Sequence, residues 1–359
     1  MAKKDFHNKA YDPGTITKLK IFEAYVQAWL PVFLSKPNPS FDSVHVFDFF
    51  SGPGTDSADN LGSPLRILKQ LQIYKEHGLS GWPLVKKHVH FSDLDAIKVG
   101  QLAETIASYQ ATLPELSIEM KAESFEQALT RNQDVLLNRK FAKLLIIDQF
   151  GVDAVSDDVF RFLVNCPTTD FIFFLSSSTL HRFRNHDAIK QKIPELEDSY
   201  HVHRAAYQYF RDLLPKGRET YLGQFSIKKG ANTYGLIFGS QHPLGIHKFL
   251  EVAWKNDRIR GEANFDVDRD NIGQDELLLA LDEFKPKKLN RFETELEKAF
   301  DNRCFAHEFD ILKFCIENGM TNQHAKSTIL KLKKAGRIAC EFSAPNIRNL
   351  KAPRPIRYF

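Results

Sequence analysis

A chain of 359 residues exceeds one average domain and allows one large and one small core. Hydrophobic residues at 43% and charged residues at 26% are ordinary for a globular chain and exclude wholesale disorder; the start lacks an apolar h-region and runs such as 171–175 are far too short to span a bilayer, so a cytoplasmic location and no membrane contact are expected. The net charge of +4 hides an asymmetry, because residues 285–359 carry 16 Lys and Arg against 8 Asp and Glu, while the preceding residues are net acidic. A polyanion partner is therefore expected of the C-terminal fifth and not of the front.

An apolar-periodic segment over residues 16–34 predicts an amphipathic helix capped near Thr15 or Thr17. Residues 44–50 form a β-branched and aromatic run ended by Ser51-Gly52-Pro53-Gly54, a strand feeding a glycine loop. Ser63-Pro64 predicts a helix start with Ser63 as cap. The pattern then alternates: strand 88–92, helix 95–111, strand 116–121, helix 125–137, strand 143–147, helix 157–164 and strand 170–175. Such alternation predicts an α/β fold, a mostly parallel, Rossmann-like sheet covered by helices on both faces. Helical stretches follow at 181–193 and 202–214, and strands 220–228 and 233–240 flank Lys229-Gly230-Ala231-Asn232, a C-terminal antiparallel hairpin.

Ligands of open α/β sheets sit at the carboxyl ends of the strands, so the strand tips carry the candidate chemistry. Asp48, Gly52 and Gly54 end the first strand, where glycines let a backbone approach a ligand or simply make a tight turn. Asp93 ends the second, placed either to accept from ribose hydroxyls or to cap the next helix. Glu123 follows the third, where a carboxylate can accept from an adenine amino group, beside a helix-capping Ser124. Asp148-Gln149-Phe150-Gly151 ends the fourth, with Asp148 able to accept from an amine and Phe150 able to stack on a base.

Paired histidines such as His88 with His90, and the widely spaced Cys166, Cys304, Cys315 and Cys340, match no metal-ligand pattern, so no metal is expected. The absence of a Pro-Cys nucleophile after the fourth strand excludes cytosine-C5 methylation chemistry, and no Gly-x-Gly-x-x-Gly fingerprint supports a nicotinamide cofactor.

Phe49-Phe50-Ser51-Gly52-Pro53-Gly54 with Gly62-Ser63-Pro64, Asp148-Gln149-Phe150-Gly151, and Tyr234-Gly235-Leu236-Ile237-Phe238 running into His242-Pro243-Leu244-Gly245 resemble the three-Cys-motif partner proteins. These look like class I S-adenosylmethionine (SAM) methyltransferases. The resemblance implies SAM as cofactor, with Asp48, Gly52, Gly54, Asp93 and Glu123 in its pocket and Asp148 and Phe150 at the target. It also implies a radical-SAM-like partner bearing three cysteines. Where the family often has Asp-Pro-Phe/Tyr-Gly, this chain has Gln149.

Three segments are expected: residues 1–255 as the methyltransferase-like domain, 256–290 as a linker or surface excursion, and 291–359 as a basic winged-helix domain. In the last, helices over 308–317 and 322–335 are separated by Asn318-Gly319-Met320-Thr321, and residues 335–342 and 355–359 predict wing strands. Asn322, Gln323, Lys326, Lys331, Lys333 and Lys334 on the second helix, with Arg348, Lys351, Arg354 and Arg357 by the wing, are the candidate nucleic-acid contacts, the alternative being a protein-docking face. The expected function is SAM-dependent methyl transfer to a nucleic-acid or nucleic-acid-associated substrate, with an amino group as the candidate acceptor; the alternative is an inactive scaffold of the same fold.

Overall fold

The computed structural model describes residues 9–149, 155–175, 202–217, 219–230, 232–272 and 285–359. The chain divides into two compact units, Met1–Gly245 and Ile246–Phe359.

The large unit opens with α1 (Pro13–Leu34), whose N-cap is Asp12 because Pro13 occupies the first helical position; the Asp12 carboxylate accepts from Thr15 N–H at 3.1 Å. This corrects the expected cap at Thr15 or Thr17. The periodic face over Leu19, Phe22, Tyr25, Val26, Trp29 and Leu30 is buried. Alternating strands and helices follow as β1 (Ser43–Asp48), α2 (Ser63–Glu76), β2 (Lys86–Asp93), α3 (Ala96–Thr112) and β3 (Leu116–Ala122). Then come α4 (Phe125–Arg131), α5 (Gln133–Leu137), β4 (Phe141–Ile147), α6 (Asp157–Asn165) and β5 (Thr169–Leu175). The unit continues with α7 (Val202–Asp212), β6 (Tyr221–Lys229) and β7 (Asn232–Ser240). The single helix expected over 125–137 is broken at Asn132, whose side-chain amide donates to Ala128 O at 2.8 Å and competes with the helical ladder. Gly62, not Ser63, is the N-cap of α2. The expected helix at 181–193 and Ser176-Ser177-Ser178 lie outside the described residues.

The strands form one seven-stranded sheet in the order β3-β2-β1-β4-β5-β7-β6, parallel except for β7, which runs antiparallel to both β5 and β6. This is a Rossmann-like arrangement, a mostly parallel sheet with one antiparallel strand. All six residues of β1 are buried, as expected of a central parallel strand covered on both faces. The strand order reverses between β1 and β4, so the ligand crevice of this architecture opens at their carboxyl ends. Histidines that the sequence left without partners form a relay across the sheet: Ser43 Oγ lies 2.8 Å from His45 Nε2, His45 Nδ1 3.1 Å from His90 Nε2, and His90 Nδ1 3.0 Å from Glu119 Oε2. Burial, first of all, pushes His45 down to about 3, so its ring is neutral.

The small unit begins within α8 (Pro243–Asn256) and carries α9 (Lys287–Asp301), α10 (Glu308–Glu317), a 3₁₀ turn (Asn322–Ala325) and α11 (Lys326–Lys334). The expected wing strands are reduced to β8 (Ile338–Ala339) pairing antiparallel with β9 (Arg357–Tyr358). Its core gathers Trp254, Phe292, Leu296, Phe300, Ile311, Cys315, Ile329 and Leu332. Within residues 256–272, the Asp257 carboxylate accepts from the N–H groups of Ile259, Arg260, Glu262 and Ala263, and the buried Arg260 guanidinium is clamped by Asp266 and Asp270.

Glu308 ties the small unit's end to α10. It is 1% exposed and accepts from Arg354 Nε and Nη2 at 3.0 and 2.8 Å, from Arg354 and Asn346 N–H, and from Asn349 Nδ2. Burial raises its carboxyl, but these donors outweigh burial and hold it at about 2. A depressed carboxyl contributes stability above its unfolded value and loses it as pH falls toward the folded one. Glu308→Gln is therefore expected to destabilise the small unit by about 3 kcal/mol at pH 7, and denaturant unfolding should show the gap from wild type closing as pH falls from 4.5 to about 2.

Candidate functional site

The loop from Ser51 to Gly62 leaves β1 at the switch point. Gly52 and Gly54 have φ of +60° and +95°, a region that side chains with a Cβ rarely enter. Gly62 N–H donates to Gly54 O at 2.7 Å, and a Cβ on Gly62 would sit 2.9 Å from that oxygen, so the loop pinches shut only with glycine there. Asp56 braces the turn from inside, accepting from the N–H groups of Ala58 and Asn60 at 2.9 Å and from Tyr11 N–H at 2.6 Å.

Asp93, at the tip of β2, holds this loop rather than capping a helix. Its Oδ2 accepts from Gly52 N–H at 3.0 Å and its Oδ1 from Asp95 N–H at 2.9 Å, while Asp95 itself caps α3 through Ile97 N–H. A carboxylate offers about four acceptor positions, so two remain for a ligand. Beside it, Leu94 is 64% and Ile97 74% exposed, an apolar surface at the strand tip that the sequence reading missed; the signal was a leucine set between two aspartates where a helix begins.

Asp48 is completely buried at the end of β1. Its Oδ1 accepts from Phe50 N–H at 3.2 Å, and its Oδ2 has no hydrogen-bond partner. Burial pushes its carboxyl up to about 7; the Ser63 hydroxyl and Phe50 N–H oppose this, and the carboxylates of Asp148 and Asp93 add to it.

Asp148, 4% exposed, was expected to accept from a target amine. Instead it accepts from Lys18 Nζ of α1 at 2.7 Å, so an ammonium of the chain itself already occupies that carboxylate. Lys18 Nζ also lies 4.7 Å from the centroid of Phe174, whose ring stacks on Tyr234. Gln149 donates to Phe174 O at 2.8 Å, a bond that proline could not make. Phe150 lies outside the described residues. Tyr11 joins the group from before α1: its hydroxyl would be 3.3 Å from a Cβ on Gly62, and burial, followed by the charges of Asp56 and Asp148, pushes its acidity well below the usual phenol. Neither Tyr11 nor Lys18 was singled out from sequence, because nothing local to α1 marks them.

Glu123 is not brought into this group as an open acceptor. Arg131 grips it with Nε and Nη2 at 2.6 to 3.2 Å and bonds Glu119 with its remaining nitrogen at 2.8 Å. Asp48, Gly52, Gly54, Asp93 and Asp148 thus converge on the crevice, and Glu123 faces α4.

In the small unit the ten candidate contacts divide. Asn322 Nδ2 donates to Pro345 O, Lys333 Nζ to Cys340 O, and Arg354 is held by Glu308. Lys331 is exposed but paired with Glu297. Gln323, Lys326, Lys334, Arg348, Lys351 and Arg357 are exposed.

No protein-family model and no curated protein sequence matches the chain. Among solved structures, it is similar to an O-methyltransferase from Bacillus cereus in complex with SAH, at 11% identity over 66% of this chain and 83% of that one, with a TM-score of 0.36. A SAM-dependent methyltransferase from Agrobacterium tumefaciens aligns at 10% identity over 65% and 63%, with a TM-score of 0.37. Spermidine synthase from Thermotoga maritima aligns at 13% identity over 64% and 62%, with a TM-score of 0.32. Among the described residues no helix is long and apolar enough to cross a membrane.

The Lys18–Asp148 pair makes a direct test of how the crevice is assembled. Lys18→Met leaves a buried carboxylate uncompensated and is expected to cost about 3–5 kcal/mol, whereas Lys18→Met with Asp148→Leu should recover most of that loss. Urea unfolding of the wild type and both variants measures it.

Proposed function

We propose that the large unit is a SAM-dependent methyltransferase acting on a nucleic-acid or nucleic-acid-associated substrate. The observation that carries the reading is the glycine loop clamped by Asp93 at the switch point of a sheet closed by an antiparallel seventh strand. The residues there suit the cofactor. Backbone at Gly52 and Gly54 admits close approach, Asp93 retains acceptor capacity for ribose hydroxyls, Leu94 offers an apolar face to adenine, and the unpartnered Asp48 oxygen suits an ammonium.

When bound, SAM supplies an electrophilic methyl on a sulfonium leaving group. The chain's task is then mainly positioning, which needs little acid–base help. Asp93 fixes the loop against β2, Asp56 fixes it against Tyr11, and Lys18 neutralises Asp148 beside the reacting space. The same Lys18–Asp148 pair favours a second reading, a scaffold that keeps the fold without methylating amines, serving a radical-SAM-like three-Cys partner.

Calorimetric titration of the purified protein with SAM tests the first reading. Saturable binding is expected, weakened at least tenfold in Asp93→Ala; a folded wild type that gives no binding heat discards it.

The small unit, read as a winged helix, would present α11 to a polyanion. Lys326, Leu330 and Lys334 recur every four residues on one exposed stripe, whereas Asn322, Lys333 and Arg354 are committed to the unit's own carbonyls and carboxylates. That leaves charge for phosphates and little apart from Gln323 for base edges, so binding should be sequence-tolerant. In filter binding against duplex DNA over a range of salt, the Lys326→Ala, Lys334→Ala double variant is expected to flatten the log–log slope by about 2; an unchanged slope removes α11 from the interface.

A further inference from the structure

The tips of β1, β2 and β4 bring three carboxylates together, Asp48, Asp93 and Asp148. Each is supplied differently. Asp148 has Lys18 as counter-ion, and Asp93 has two backbone N–H donors and partial access to water. Asp48 has neither: it is fully buried, receives one long hydrogen bond from Phe50 N–H and the influence of the Ser63 hydroxyl, and leaves Oδ2 without a partner. The groups facing it directly are of the wrong sign or neutral: Asp93 from β2, Asp148 from β4 and Ser63 from α2. The nearby cations are engaged elsewhere, Lys18 from α1 by Asp148 and Arg66 from α2 by Glu23, with the Tyr11 phenol and Asp56 alongside. A buried carboxyl without its own cation keeps its proton, and surrenders it when a cation arrives.

We propose that a ligand ammonium group binds against Asp48 and expels its proton to solvent, so that cofactor binding at the glycine loop is linked to proton release. This rests on the SAM reading above and adds to it a binding mode. The step is a proton loss only: the Asp48 O–H bond breaks, the proton goes to water, and the ligand ammonium keeps all three of its protons beside the new carboxylate. The free carboxyl titrates near neutrality, at about 7, so affinity should rise with pH below that value and level off above it. The ligand's own α-amino group titrates at roughly 8, which sets the upper limit of the useful window.

The test is calorimetry of SAM binding at pH 6 in two buffers of different ionisation enthalpy, with the dissociation constant followed from pH 5.5 to 7.5. The expected result is release of close to one proton at pH 6 and an affinity gain approaching tenfold per pH unit at the acid end. Asp48→Asn, which keeps the shape but cannot titrate, should bind SAM with no proton release and a flat profile over the same range. 5′-Methylthioadenosine, which lacks the amino-acid moiety, should bind the wild type without proton release. SAM binding that is tight at every pH and releases no proton overturns the proposal while leaving the cofactor reading intact. Proton release that persists in Asp48→Asn overturns the assignment to Asp48. Absence of SAM binding at every pH removes both readings together.

Discussion

The buried contact between Lys18 and Asp148 fixes the rest of the crevice. It joins the first helix to the tip of β4, the strand beside which the sheet order reverses. An ion pair taken out of water is not an inexpensive way to add stability, since desolvation offsets much of the attraction. Its value here is positional. With Lys18 seated on Asp148 and over Phe174, the start of α1 is drawn across the strand ends, and Tyr11 reaches the glycine loop, where Asp56 accepts its N–H. Asp12 closes the same end by pairing with Lys229 of β6. The N-terminal segment, the loop and the sheet edge are therefore one structure held by three polar ties.

That pair also sets the charge balance around it. One lysine serves a neighbourhood of three strand-tip carboxylates, which leaves Asp48 to carry its burial without compensation. Farther along, Glu119 is met by His90 and Arg131, and Glu123, just past β3, by Arg131. Asp170 of β5 is also buried without a cation but is met by the Tyr25 hydroxyl, whereas Asp48 keeps an oxygen without a partner where the architecture places a ligand, and a buried polar group left unmet is where function is to be looked for.

In the small unit Glu293, Glu297 and Asp301, spaced by four along α9, meet Ser327, Lys331 and Arg337, so part of the basic excess counted from sequence is spent on holding α11 in place. What remains outward is a stripe rather than a whole basic face. A count of lysines measures total charge, and only the packing of α9 against α11 divides it into structural and available parts.

The order and type of nearly every strand and helix of the large unit, the glycine loop and the acidic strand tips were legible in the sequence, because period and turn chemistry are local properties of neighbouring residues. Asp48, Gly52, Gly54, Asp93 and Asp148 could be named for the same reason: each ends a hydrophobic run. Their partners could not. Lys18 lies 130 residues from Asp148, Tyr11 45 from Asp56, and Arg131 reaches back to Glu123 around a helix turn. Which carboxylate receives a cation, which receives N–H groups and which is left bare depends on how the helices dock on the sheet. Sequence determined the fold class and the candidate tips; tertiary structure alone decided their partners, because electrostatics acts through distance in space and burial, and neither is written in the order of the residues.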